Sequence, residues 1–184
     1  MANRSKKVVL SARVDPYLKA ALELLAASNN EKIVKTLETF IENGLNDYYV
    51  KNPFKDDEPM KTPFINVFTA IWTDDEVRYK LRAAMIGPHL AGETLWRQGL
   101  VVTAYDYFKG KEPLYGDLNG LGEKWGYKPD REYFLNFQLI RDEWSLIEEY
   151  VTFLENNKPF EPDYSDYKKM RNSASVKSAP PQPL

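Results

Sequence analysis

One histidine and no cysteine leave this 184-residue chain few routes to covalent or metal chemistry. Without cysteine there is no disulfide and no thiolate to hold zinc or attack a substrate. His89 lies in Gly87-Pro88-His89-Leu90-Ala91-Gly92-Glu93-Thr94, just after a proline at a helix junction, with no obvious partner in the sequence. That loop lacks the Gly-Lys-Ser/Thr of a phosphate-binding loop, and Gly120-Leu121-Gly122 falls short of a dinucleotide fingerprint. The chain reads as a non-enzyme: no catalytic residue, no metal site and no cofactor is expected. The chemistry left to it is ionic. Arg4, Lys6, Lys7 and Arg13 all precede the first acid, Asp15, in a chain whose net charge is only −2. Such a distribution suits a local contact with phosphates better than general adhesion to nucleic acid. Met1–Ser5 is then either a basic arm that follows a phosphate backbone or a ragged, solvated terminus.

The stretch that carries Arg13 has a pattern of its own. In Val8-Val9-Leu10-Ser11-Ala12-Arg13-Val14 the β-branched residues favour a pleated backbone. Period two puts Val8, Leu10, Ala12 and Val14 on one apolar face, and Lys7, Val9, Ser11 and Arg13 on the other. Asp15-Pro16 reads as a helix start, with Asp as cap and Pro at the first helical position. Leu18, Ala21, Leu22 and Leu25 follow at i, i+3, i+4 and i+7. Ser28-Asn29-Asn30 breaks that helix, and Ser28 or Asn30 can cap the next, where Ile33, Leu37, Phe40 and Ile41 repeat the stripe before Gly44. One strand and two helices of about forty residues expose too much apolar surface to be stable alone. The strand also has two free edges. Two copies that pair their strands antiparallel and share one core answer both problems, so a homodimer is expected. The competing reading makes residues 8–14 an edge strand of a mixed domain and Arg13 a solvated side chain.

The order of strand, Arg13-Val14-Asp15-Pro16-Tyr17-Leu18, helix, Asn-rich turn and helix resembles the ribbon-helix-helix DNA-binding family (Arc, MetJ and CopG-like repressors) over residues 6–46. The resemblance implies a dimeric ribbon in the major groove of double-stranded DNA, with outward strand side chains on base edges. It also implies that the amino end of the second helix holds a backbone phosphate. Carried over by position, Val9, Ser11 and Arg13 are the implied base contacts, and Lys7, Ser28, Asn30 and Lys32 the implied phosphate contacts. The N–H groups of Glu31 and Lys32 would lie at the helix end, an anion site. A guanidinium at Arg13 can bond guanine O6 and N7 together, Ser11 can donate or accept, and Val9 can touch only a thymine methyl. The sequence departs from the family pattern in three places. Val9 and Ser11 are not long polar readers, the turn has no glycine, and Glu31 places a negative charge where a phosphate would sit.

The rest of the chain has the composition of folded protein, since 43% of all residues are hydrophobic and 14% aromatic. Residues 47–61 read as a linker, with Asn52-Pro53 ending the helix and Lys55-Asp56-Asp57-Glu58-Pro59 charged and then broken. Residues 62–156 read as an all-helical domain. It begins with a helix through Phe64–Trp72 and one started by Thr73-Asp74-Asp75-Glu76, carrying Val77, Leu81, Ala84 and Met85. A helix over Leu90–Phe108 and a long loop over Gly110–Pro129, held by Tyr115, Trp125 and Tyr127, follow. A last helix, capped by Asp130, sets Tyr133, Phe137, Ile140, Trp144, Ile147, Val151 and Leu154 four and three apart. That seam serves as the spine of the domain or pairs with a second chain, and the bulk of Phe137 and Trp144 favours the spine. Residues 157–184, rich in Pro and Ser, are expected to be disordered.

The expected fold class is therefore mainly α: a ribbon-helix-helix module over residues 1–46, with one strand paired across a dimer, and an all-helical carboxy-terminal domain. Residues 1–14 do not form a signal peptide and no stretch is long enough to span a membrane, so a cytoplasmic, nucleoid-associated protein is expected. The expected function is sequence-specific DNA-binding transcription regulation, of the repressor kind. The alternative is an antitoxin, or a plasmid-partition or nucleoprotein-complex protein, whose carboxy-terminal domain binds a protein partner or builds a higher oligomer. A small-ligand sensor is a third reading.

Overall fold

Asp15 starts the first helix, α1 (Pro16–Ser28): its carboxylate accepts the Tyr17 N–H at 2.8 Å, and Pro16 occupies the first helical position. The computed structural model describes residues 9–55 and 61–177, mainly as helix. Lys7, Val8, the arm Met1–Ser5 and residues 56–60 lie outside the described residues. The chain forms two compact units, residues up to 50 with 63–65, and the remainder.

In the first unit, α1 ends at Asn30, not at a glycine. Asn30 takes the left-handed conformation, φ 55°, its N–H bonds the Ala27 carbonyl at 3.1 Å, and the Glu31 N–H bonds the Ala26 carbonyl at 2.9 Å. This pair of bonds is the Schellman closure, and Asn is the residue after Gly that tolerates it best. The helix α2 (Ile33–Asp47) then begins after an extended Lys32 with no side-chain cap, so the expected capping by Ser28 or Asn30 does not occur. Asn30 is committed to ending α1, and the Ser28 hydroxyl donates to the Leu25 carbonyl. Ala26 and Thr36 are the buried residues of α1 and α2. Residues 9–14 carry no strand. Among the described residues the expected strand has no partner, and an unpaired strand leaves its N–H and C=O groups without a ladder.

The segment expected as a linker is built structure in its described part. Tyr49–Lys51 (β1) and Lys61–Pro63 (β2) pair with each other. Phe54 is buried and packs its ring on Tyr115 and Tyr127, while the Asn52 side chain accepts the Phe54 N–H.

The second unit is helical but not all-helical. The helices α3 (Phe64–Ile71), α4 (Glu76–Met85), α5 (Pro88–Ala91) and α6 (Glu93–Ala104) come first. Asp75 caps α4 by accepting the Arg78 N–H. Gly92, at φ 80°, splits the single helix expected over Leu90–Phe108 into α5 and α6. Gly99 sits in α6 because a Cβ there would come within 2.5 Å of the Ala84 Cβ, so the two helices touch at their narrowest residues. Lys109–Pro113 (β3) pairs antiparallel with Phe134–Leu135 (β4), across a bulge between Lys109 and Glu112. This hairpin overturns the all-helical expectation. It also moves the start of the last long helix, α8 (Phe137–Asn156), from Asp130 to Asn136, whose side chain accepts the Leu139 N–H. Tyr133 precedes β4 and is not helical. Between the strands, α7 (Leu121–Trp125) and a 3-10 turn fill much of the expected loop, and Asn119 ties that turn to the Thr69 and Trp72 carbonyls. Phe137, Ile140, Trp144, Ile147 and Val151 of the α8 seam are all buried against this unit's own core, which assigns the seam to the spine. Residues 157–184 are not all disordered: α9 (Tyr164–Lys177) is a helix whose Tyr164 is buried. Pro159 and Pro162 lie before α9, and Pro180, Pro181 and Pro183 lie outside the described residues.

Candidate nucleic-acid interface

Residues 9–15, before α1, are exposed to solvent. Val9 is 92% exposed and Leu10 75%, and Ser11 and Arg13 are exposed as well. Among the described residues Arg13 has no acidic partner, so its guanidinium keeps its donors available. Lys7 lies outside the described residues.

The second cluster surrounds the turn between the helices. Lys32 and Lys35 are exposed at the start of α2. The Lys35 N–H and Thr36 N–H both turn back to the Lys32 carbonyl, at 2.8 and 3.2 Å, which closes the first turn. The Glu31 N–H is bonded to Ala26 and is not available to a phosphate, contrary to its implied role. Its carboxylate accepts the Thr36 hydroxyl at 3.3 Å and stays beside the helix start. Ser28 has given its only proton to Leu25, and Asn30 holds the turn. Of the four implied phosphate contacts, Lys32 is thus the described residue whose charged group is unencumbered. Sequence reasoning overlooked Lys35, whose signal was its place in the first turn beside Lys32.

The larger finding concerns the apolar stripes. Leu18, Leu25, Ile33, Leu37, Phe40 and Ile41 are between 37% and 57% exposed, and Tyr17 and Leu24 are more exposed still. Leu18, Leu25, Ile33, Leu37, Phe40 and Ile41 belong to the expected stripes of α1 and α2, and one chain does not bury them. Completing the burial of such residues is worth roughly 1 kcal/mol each.

No family model matches the chain, and neither the curated proteins nor the solved structures contain a match to it.

Proposed function

We propose that this protein is a sequence-specific regulator of transcription, of the repressor kind, that binds double-stranded DNA as a homodimer. One observation carries the reading: the unpaired stretch 9–14 adjoins two helices whose apolar stripes are both exposed. A second copy supplies what each lacks. Antiparallel pairing of residues 8–14 satisfies the strand edges, and the stripes of the two copies close over each other as one core. The paired strands then present Val9, Ser11 and Arg13, twice, on the face away from that core.

In this arrangement Arg13 makes the bidentate guanine contact, Ser11 a single hydrogen bond and Val9 an apolar contact to a thymine methyl. Lys7 and Lys32 hold phosphates as point charges, and Lys35 joins them. Ser28 and Asn30 act indirectly, by fixing the turn that sets the direction of α2. Glu31 lowers the local positive potential and so limits affinity for DNA of any sequence. The reading requires no catalysis and no cofactor.

The second unit bears on the alternative. An antitoxin commonly neutralises its partner with a segment that folds on binding, whereas residues 62–156 here have a core of their own. That favours oligomerisation or ligand sensing by this unit over masking of a toxin.

The test is light scattering on the full chain at micromolar concentration, followed by selection of bound sequences from a random duplex library. A dimer that enriches one motif supports the proposal. A monomer with intact helices would remove the shared core and the DNA reading with it.

A further inference from the structure

The helix α9 joins the core of its unit through Tyr164, which is buried with its ring 6.2 Å from those of Tyr105 and Tyr107. Beside that anchor it carries a second stripe. Ser165, Lys168, Lys169 and Asn172 fall at i, i+3, i+4 and i+7 and so share one side of the helix. Each bears an O–H or N–H donor. These four residues and the rings of Tyr105 and Tyr107 line a cleft of about 430 Å³, with Tyr164 between them. A volume of that size lies in the ordinary range of small-ligand sites.

The two sides of the cleft differ in chemistry. The Tyr105 hydroxyl is shared with the Tyr150 hydroxyl at 3.2 Å, and the Tyr107 hydroxyl donates to the Glu143 carboxylate. Neither Tyr150 nor Glu143 lines the cleft, so the tyrosines supply it with ring surface rather than hydroxyls. The α9 side supplies charge. Lys168 uses two of its three N–H groups, on Glu143 and Tyr107. Burial lowers the Lys168 ammonium, and those bonds more than reverse that, so it remains a cation. Lys169 pairs with Asp166 at 2.7 Å, with both side chains more than half exposed, and such a pair is held weakly.

The acids that pair with these lysines lie outside the lining. Asp163 is the one acid within it, and it precedes α9. Five residues separate it from Lys168, about 7.5 Å along a helix axis. The cleft therefore has two cations toward one end and an acid at the other. A second cleft in the same unit makes the contrast. It measures about 490 Å³, is bordered by Glu148 and Glu149, and has no cation in its lining.

We infer that the cleft between α9 and Tyr105–Tyr107 is a binding site for a small aromatic carboxylate. The ring system lies against Tyr105 and Tyr107, where aromatic contacts are favourable. The carboxylate accepts from Lys169 and from the remaining N–H of Lys168. The helix α9 stays in place as one wall of the site. The inference stands on the second unit alone and does not rest on the DNA reading.

The experiment is calorimetric titration of the full chain with 2-naphthoate as the probe. Two comparators separate the terms: 2-naphthylmethylamine keeps the rings and reverses the charge, and inorganic phosphate keeps the negative charge without rings. The site predicts saturation by 2-naphthoate at one per chain, with neither comparator matching its affinity. Lys169→Glu, at an exposed position, should leave the melting temperature unchanged and weaken 2-naphthoate about fivefold or more. Lys19→Glu makes the same change of charge on α1 and should leave binding as in the parent. Failure of 2-naphthoate to saturate overturns the inference, as does equal binding of the amine or of phosphate. So does an equal response to the two substitutions, since the probe would then be reading net charge or the exposed stripes of the first unit.

Discussion

Phe40 and Phe137 are the same residue on helices with similar apolar stripes, yet Phe40 is 52% exposed and Phe137 is fully buried. The difference lies in what each unit brings to its own helices. Phe137 starts α8, which the hairpin β3–β4 precedes and whose stripe meets α4 and α6 of the same unit. It also carries the Arg78 guanidinium 4.2 Å above its ring. Phe40 lies on α2, which packs on α1, and Ala26 and Thr36 are the residues of the two helices that are buried. An amphipathic pattern states that a face must be covered. It does not state whether the cover lies in the same chain.

The comparison breaks most sharply at Phe137. Phe137→Ala should destabilise the second unit by about 3–5 kcal/mol, the cost of a large buried ring and its cavity. Because that core is closed within one chain, the loss should not depend on protein concentration. Denaturant unfolding at two concentrations a hundredfold apart checks this, and a shift with concentration would show that the second unit also draws on a partner.

Leu37→Asp asks the opposite question of the first unit. Leu37 is 41% exposed, and a substitution at such a site in a self-sufficient monomer usually changes stability by no more than about 0.5 kcal/mol. If a second copy covers Leu37, the buried charge should weaken association by roughly 2 kcal/mol or more. Light scattering should then report monomers at concentrations where the parent chain is dimeric, and specific DNA binding should be lost with the dimer. An unchanged mass would end the comparison, since the exposed stripe would then be only surface.

Much of this division was legible in the residues themselves. The α8 seam from Phe137 to Val151 was read correctly because five large apolar side chains fall in register and no glycine interrupts them. Its start was misplaced because Phe134 and Leu135 form a strand, and the pairing that makes them one comes from Lys109–Pro113, far away in sequence. The helix α9 was missed because Pro and Ser dominate the tail's composition. Its one signal, the spacing of Tyr164, Tyr167, Lys168 and Arg171, is a stripe of mixed polar groups that hydrophobic periodicity does not register. At the candidate site, Arg13 was legible as an exposed cation. The roles of Ser28, Asn30 and Glu31 were not, because each depends on backbone bonds closing α1, which sequence type alone does not reveal.

Arg13→Ala sharpens the first unit's side of the comparison. Arg13 is exposed and has no acidic partner among the described residues, so its loss should leave dimerisation and melting temperature unchanged. Affinity for the selected DNA motif should fall by ~1–3 kcal/mol, while affinity for unrelated duplex falls much less, as loss of a base contact requires. A mobility-shift titration against both duplexes separates the outcomes. Equal loss on both would reassign Arg13 to a phosphate, and no loss on either would remove it from the interface.

The smallest expected effect belongs to Asn30, and it separates two roles that its position leaves entangled. As a phosphate contact, its carboxamide matters and its backbone conformation does not. As the closing residue of α1, its φ of 55° matters and the side chain is incidental. Asn30→Gly keeps the left-handed turn, relieves what strain Asn has there, and removes the carboxamide. Asn30→Ala removes the same carboxamide but puts a less tolerant residue in the left-handed region, at about 1 kcal/mol. The closing bonds from the Asn30 and Glu31 N–H groups favour the turn role. Asn30→Gly should therefore melt at or slightly above the parent temperature and bind DNA as the parent does, while Asn30→Ala should melt lower. Equal weakening of DNA binding by both, with melting unchanged, would return Asn30 to the phosphate and leave α1 closed by its backbone alone.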